Sequence, residues 1–179
     1  MTRFVALLRG INVGGNKKVP MAELRALAEE LGFTALATYI QSGNLVFTAG
    51  GAAAQHEAGL ERALEQHFGF PVETLVRDAK TWGAILAANP LVKIAEKDPA
   101  HLLVGLAKET LRQEARAELR ERVQGAERVE VAGDALWIHY AAGVARSKLT
   151  PALLDRYAGS TVTARNWRTM TELGRMLAG

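Results

Sequence analysis

The sequence predicts an α+β fold. Two βαββαβ halves, each an antiparallel, ferredoxin-like sheet, pack into one compact chain. Three observations carry this. The order strand, helix, strand, strand, helix, strand can be read twice in 179 residues. Each half closes on the same pattern. Arg77-Asp78-Ala79-Lys80-Thr81-Trp82-Gly83-Ala84-Ile85 and Arg165-Asn166-Trp167-Arg168-Thr169-Met170-Thr171-Glu172-Leu173 share Arg, Asp/Asn, a basic residue, Thr and spaced apolar residues. An echo at equivalent positions favours duplication. Finally, the strands are apolar at both parities. Phe4, Ala6 and Leu8 point one way and Val5 and Leu7 the other, and Leu102, Val104 and Leu106 likewise oppose Leu103, Gly105 and Ala107. Strands apolar on both faces are buried on both, so the second faces must be covered by each other or by a second copy of the chain.

The first half, residues 1–90, opens with a strand over 3–9. A helix over 20–31 follows, with Pro20 in its first turn and Gly32 just past its end. Its stripe is Met21, Leu24, Leu27, Ala28 and Leu31. Strands over 35–40 and 45–48 flank a polar turn. A helix centred on 60–68 ends at Gly69, and a strand over 72–76 completes the unit. Residues 89–99, from Asn89-Pro90 to Asp98-Pro99, read as the boundary. The second half, 91–179, repeats the order: strand 101–107, helix 109–124, strands 128–131 and 136–140, short helix 149–157, strand 161–164. Asp78 and Asn166 fit helix caps, and Thr169 with Glu172 fits a capping box.

In this topology the first two strands of a half run parallel. The 9–18 loop and the 41–44 turn therefore share one sheet edge. Leu8-Arg9-Gly10-Ile11-Asn12-Val13-Gly14-Gly15-Asn16-Lys17-Lys18 presents bare backbone amides and positive charge together, which suits an anion. On this reading Gly14, Gly15 and Lys17 hold a small anionic ligand, while Arg9, Asn12, Gln41, Ser42 and Asn44 orient the rest. Electrostatic stabilisation by Arg9 and Lys17 is the one kind of catalysis these groups offer. The plainer reading is that the glycines turn the loop and Ser42-Gly43 turns a hairpin.

Charge favours a competing partner. Net charge is +3, but residues 146–179 hold six basic against two acidic side chains. Arg146, Lys148, Arg165 and Arg168 are expected at one edge of the second sheet, a basic cluster that nucleic acid would suit, with Arg175 further along. Trp137 and His139 share a strand face where bases could stack, though packing between the halves explains Trp137 better. An interaction scaffold without a ligand is the third reading.

Several chemistries are excluded. There is no cysteine, hence no disulfide and no thiolate. His56, His67, His101 and His139 lack metal-ligand spacing, and no metal or cofactor is indicated. Ser42 lacks a nucleophile elbow. The loop is not a P-loop, because Asn16 stands where that motif has lysine and no hydroxyl follows. No catalytic set is visible. The apolar run 4–8 is too short for a signal-peptide core or a membrane span, and a cytoplasmic location is expected.

The chain resembles the bacterial domain of unknown function 1697 family. The resemblance rests on Leu8-Arg9-Gly10-Ile11-Asn12-Val13-Gly14-Gly15, Tyr39-Ile40-Gln41-Ser42-Gly43-Asn44 and Thr163-Ala164-Arg165-Asn166-Trp167-Arg168-Thr169. It implies two ferredoxin-like halves in one chain and carries no reaction or cofactor with it.

Overall fold

The computed structural model describes residues 1–179. Its first sheet forms around β1 (Thr2–Leu8), whose residues Phe4 to Leu8 are all buried. An unbroken apolar run has become a central strand, as burial on both faces requires. β2 (Thr34–Tyr39), β3 (Asn44–Ala49) and β4 (Thr74–Asp78) complete an antiparallel sheet of order β2-β3-β1-β4. Phe4, Ala6 and Leu8 pack against α1 (Met21–Glu30) through Leu24 and Leu27, and against α2 (Ala53–Phe68) through Leu60 and Leu64. Each such fully buried side chain contributes about 1.5–3 kcal/mol. α2 begins where the Gln55 side chain accepts from the Ala52 amide, and ends at Gly69 in the left-handed conformation. On the opposite face Val5, Leu7, Val46 and Leu75 are also buried within the single chain.

The second sheet has the same order, β6-β7-β5-β8. It comprises β5 (Leu102–Ala107), β6 (Arg128–Ala132), β7 (Ala135–His139) and β8 (Val162–Asn166). Its helices are α5 (Ala115–Arg120) and α6 (Pro151–Ala158), and Leu102, Val104, Leu106 and Trp137 are buried on the other side. α6 is bounded by textual signals alone: Thr150 caps the Leu153 amide, Pro151 stands first and Gly159 stops it.

One expectation is corrected here. The helix read over 109–124 shrinks to α5. The backbone amide of Glu109 donates to Ser160 Oγ and that of Leu111 to Asp134 Oδ1, so the leading residues are tied to other elements before a helix can form. The stripe still buries Leu111, Ala115 and Leu119. The 89–99 boundary holds a helix, α4 (Val92–Lys97), nucleated after Asn89 Oδ1 accepts from the Leu91 amide.

The duplicated segments fold alike. In α3 (Ala79–Ala87) the Thr81 amide donates to Asp78 Oδ1 at 2.6 Å, and in α7 (Trp167–Ala178) the Thr169 amide donates to Asn166 Oδ1 at 2.9 Å. Arg77 and Arg165 each donate to the carbonyl of the residue before, at 2.8 and 2.9 Å. The capping box read at Thr169 and Glu172 is displaced, because α7 starts earlier and Thr169 supplies the capped amide.

The chain partitions into two units, Met1–Trp82 with Leu173–Gly179, and Gly83–Glu172. α3 and α7 thus each begin in one unit and end in the other. Within the second unit, a methyl group placed on Gly133 would sit 2.6 Å from Ala88 Cβ, so the residue that follows α3 is seated on the β6–β7 turn. No helix is long and apolar enough to cross a membrane.

Candidate functional site

The end of β1 organises the first unit's polar edge. The Leu8 amide donates to Gly43 O at 2.8 Å and the Arg9 amide to Glu73 O at 2.9 Å. One strand end therefore ties together the 41–44 turn on one side and the approach to β4 on the other. This follows from sheet order, since β1 lies between β3 and β4.

Asn12 is the pin of this edge. Its side-chain amide donates to Val19 O at 3.0 Å and Gln41 O at 2.8 Å, while its Oδ1 accepts from the Val19 amide at 2.9 Å. Asn44 is fully buried and donates to Tyr39 O and to Ser42 Oγ. Gly14 and Gly15 occupy the centre of a tight turn with φ of 60° and 77°, closed by the Asn16 amide on Val13 O at 3.1 Å. Both dihedrals positive is the geometry that glycine serves at no steric cost. The two loops are neighbours, as their topology requires, joined by the Asn12 side chain on Gln41 O.

Two cations converge elsewhere along this edge. Arg9, Gly10, Lys17, Pro71 and Glu73 line an open hollow of about 350 Å³. Arg9 is about a quarter exposed and lies 3.7 Å from the Glu73 carboxylate, which is half exposed. Lys17 donates from Nζ to Pro71 O at 2.9 Å, with its ammonium 5.9 Å from the centroid of Phe70. Its φ of 46° is a strained value for a residue with a side chain, imposed by the Asn12 amide's bond to Lys17 O. Of the eight residues read from the sequence, Arg9 and Lys17 line the hollow; Asn12 ties the two loops through Gln41 O, Asn44 and Ser42 brace the 41–44 turn, and Gly14 and Gly15 shape the loop without lining the hollow. Glu73 and Pro71 were missed. Their signal was topological, because β4 runs antiparallel beside β1 and so starts where β1 ends.

In the second unit the basic residues are placed differently. Arg146, exposed, lines a hollow of about 310 Å³ with the 124–127 turn, Ala141 and Ala142. Trp167 lines another, of about 250 Å³, with residues of α3 and α4. Lys148 and Arg168 are exposed. Arg165 is half-buried, and desolvation brings its pKa down to about 10, still charged at neutral pH. Trp137 is fully buried, donates to Ala132 O at 3.0 Å and tilts against Trp167, so its face is closed to bases.

A different cluster lies where β5 begins and β7 ends. Asp98 accepts from His101 Nδ1 at 2.8 Å and His139 Nε2 at 2.9 Å, given the matching tautomers. These bonds, that from His139 foremost, hold the Asp98 carboxyl below its ordinary range. The three side chains join α4's end to the sheet.

Comparison with known proteins agrees with the architecture. A conserved bacterial protein from Streptococcus pneumoniae is 27% identical and superposes with a TM-score of 0.78, over 98% of each chain. No curated protein matches the sequence. The family model described as protein of unknown function DUF1697 matches residues 1–137, from β1 into β7 and across the whole polar edge of the first unit. On that match the chain belongs to the DUF1697 family.

Proposed function

We propose that this protein binds a small anionic ligand, nucleotide-like or phosphorylated, in the hollow of Arg9 and Lys17. The observation that carries the reading is their convergence. Two cations eight residues apart are brought to one concavity by a loop whose shape Asn12 fixes. Anions bind where fixed positive charge is already oriented, because little ordering is then left to the binding step. The Asn12 pin supplies that rigidity. The 9–18 and 41–44 loops act here as the frame of the site, with Arg9 and Lys17 as its contacts. The reading includes a cytoplasmic location, which cell fractionation tests by where the chain is recovered.

The experiment is a thermal-shift titration with inorganic phosphate, sugar phosphates and nucleotides. Ligand at about 100 times its dissociation constant adds ~2.7 kcal/mol, a rise of roughly 5–10 °C for a chain this size. Arg9→Ala should fold and lose that rise. An equal rise in the variant sinks the reading, as does a shift given by oligonucleotides alone.

A further inference from the structure

The hollow contains a carboxylate, and that restricts what it can hold. Glu73 stands 3.7 Å from Arg9 and lines the same walls as Lys17. That separation is longer than the roughly 2.7–2.9 Å of a close charge-assisted hydrogen bond. The pair attracts across the mouth without closing it. A bare anion entering between Arg9 and Lys17 would bring its charge beside a fixed negative one, which weakens the site it seeks. A ligand carrying a protonated amine next to its anionic group meets a partner at each end.

The charge count agrees. Arg9 and Lys17 give two positive charges and Glu73 one negative, so these side chains carry a net +1. A phosphate monoester dianion bearing one ammonium is net −1. The second acceptor in the hollow is Pro71 O, which already accepts a hydrogen bond from Lys17 Nζ. It extends the acceptor side beyond Glu73. The arrangement is donors on the 9–18 loop and acceptors on the approach to β4, held face to face by the Arg9 amide's bond to Glu73 O.

Resting on the anion-binding reading above, we propose that the ligand is a small phosphorylated amine. Its phosphate lies between Arg9 and Lys17 and its ammonium on the Glu73 carboxylate. Glu73 thereby selects among phosphate esters, favouring those that carry the amine.

The test is calorimetric titration with O-phosphoethanolamine and with glycerol phosphate, which offers a hydroxyl in place of the amine. Wild-type protein is expected to bind O-phosphoethanolamine roughly tenfold or more tightly than glycerol phosphate, the scale of one hydrogen bond to a charged group. In Glu73→Gln the preference should vanish or reverse, with glycerol phosphate bound as well as before or better. Glu73 is half exposed, so this variant should fold, and circular dichroism checks that it does. Equal affinity for both probes in the wild type overturns the role of Glu73 while leaving anion binding standing. So does a uniform gain for both in Glu73→Gln. Failure of both probes to bind wild type and variant alike overturns this inference. If inorganic phosphate, sugar phosphates and nucleotides fail with them, the anion-binding reading falls too.

Discussion

His56 lies among three phenylalanines, its ring centroid 4.8 Å from that of Phe4, 5.0 Å from Phe33 and 5.5 Å from Phe47. Its Nε2 is buried without a hydrogen-bond partner. Burial holds its pKa below the ordinary 6.5, partly offset by a backbone bond at Gly50. The unfolded chain takes up a proton near pH 6.5 while the folded one resists, so stability present above that pH falls as the pH drops below it. Urea midpoints at pH 7.5 and pH 5.5 should show the loss, and His56→Phe should reduce it. A difference unchanged by the substitution would place the titration elsewhere. In the sequence this residue was legible only as a histidine without metal-ligand spacing, because its aromatic surroundings come from three different strands and loops. Arg9 and Lys17, by contrast, which line one hollow, could be read as candidates from chemistry and position. Glu73 was invisible until β4 was placed beside β1.

Among elements, the 9–18 loop and the 41–44 turn behave as one piece. Asn12→Ala removes two donated bonds and one accepted bond, taking a partner from the part-buried amide and carbonyl of Val19 and from the exposed Gln41 carbonyl, and should cost about 1–3 kcal/mol. Chemical denaturation should read that loss, and ligand affinity should fall with it because Lys17 is positioned by the same loop. An Asn12→Ala protein as stable as wild type would remove Asn12 from its structural role. Gly43 is stricter still. It has a φ of 82°, and an added methyl would lie 2.6 Å from Ile11 Cδ1 and 2.8 Å from Leu8 Cβ. Gly43→Ala should therefore lower stability by about 2 kcal/mol or more, combining backbone strain with overpacking. A Tm within a degree of wild type would contradict that. Both turns were readable from Gly and Asn in the sequence. Which carbonyl Asn12 reaches was not, since its partner Gln41 is 29 positions away. The 109–124 segment failed for the same reason: Ser160 and Asp134, which hold its first amides, are remote in sequence.

For the molecule as a whole, the division into units cuts across the two sequence repeats. Leu173 and Leu177 are buried, and residues Leu173–Gly179 belong with the first sheet. Leu173→Ala should cost about 2–5 kcal/mol, as for other fully buried leucines. A fragment ending at Pro90 lacks both leucines, and poor dispersion of its amide NMR signals is the expected result. A well-dispersed spectrum would mean that the first repeat folds without them. What the sequence determined by itself was periodic or local: the two βαββαβ runs, strands apolar at both parities, the Asp78 and Asn166 caps, and a loop of glycine, amide and basic residues. Those signals act within a few residues, through the pitch of a helix or the alternation of a strand. Only the tertiary structure decided that α3 and α7 pass from one unit to the other, that Asn12 ties the 9–18 loop to the 41–44 turn, and that Glu73 joins Arg9 and Lys17 in one hollow. These depend on contacts between residues tens of positions apart, and such contacts exist only once the sheets have closed and the core has excluded water.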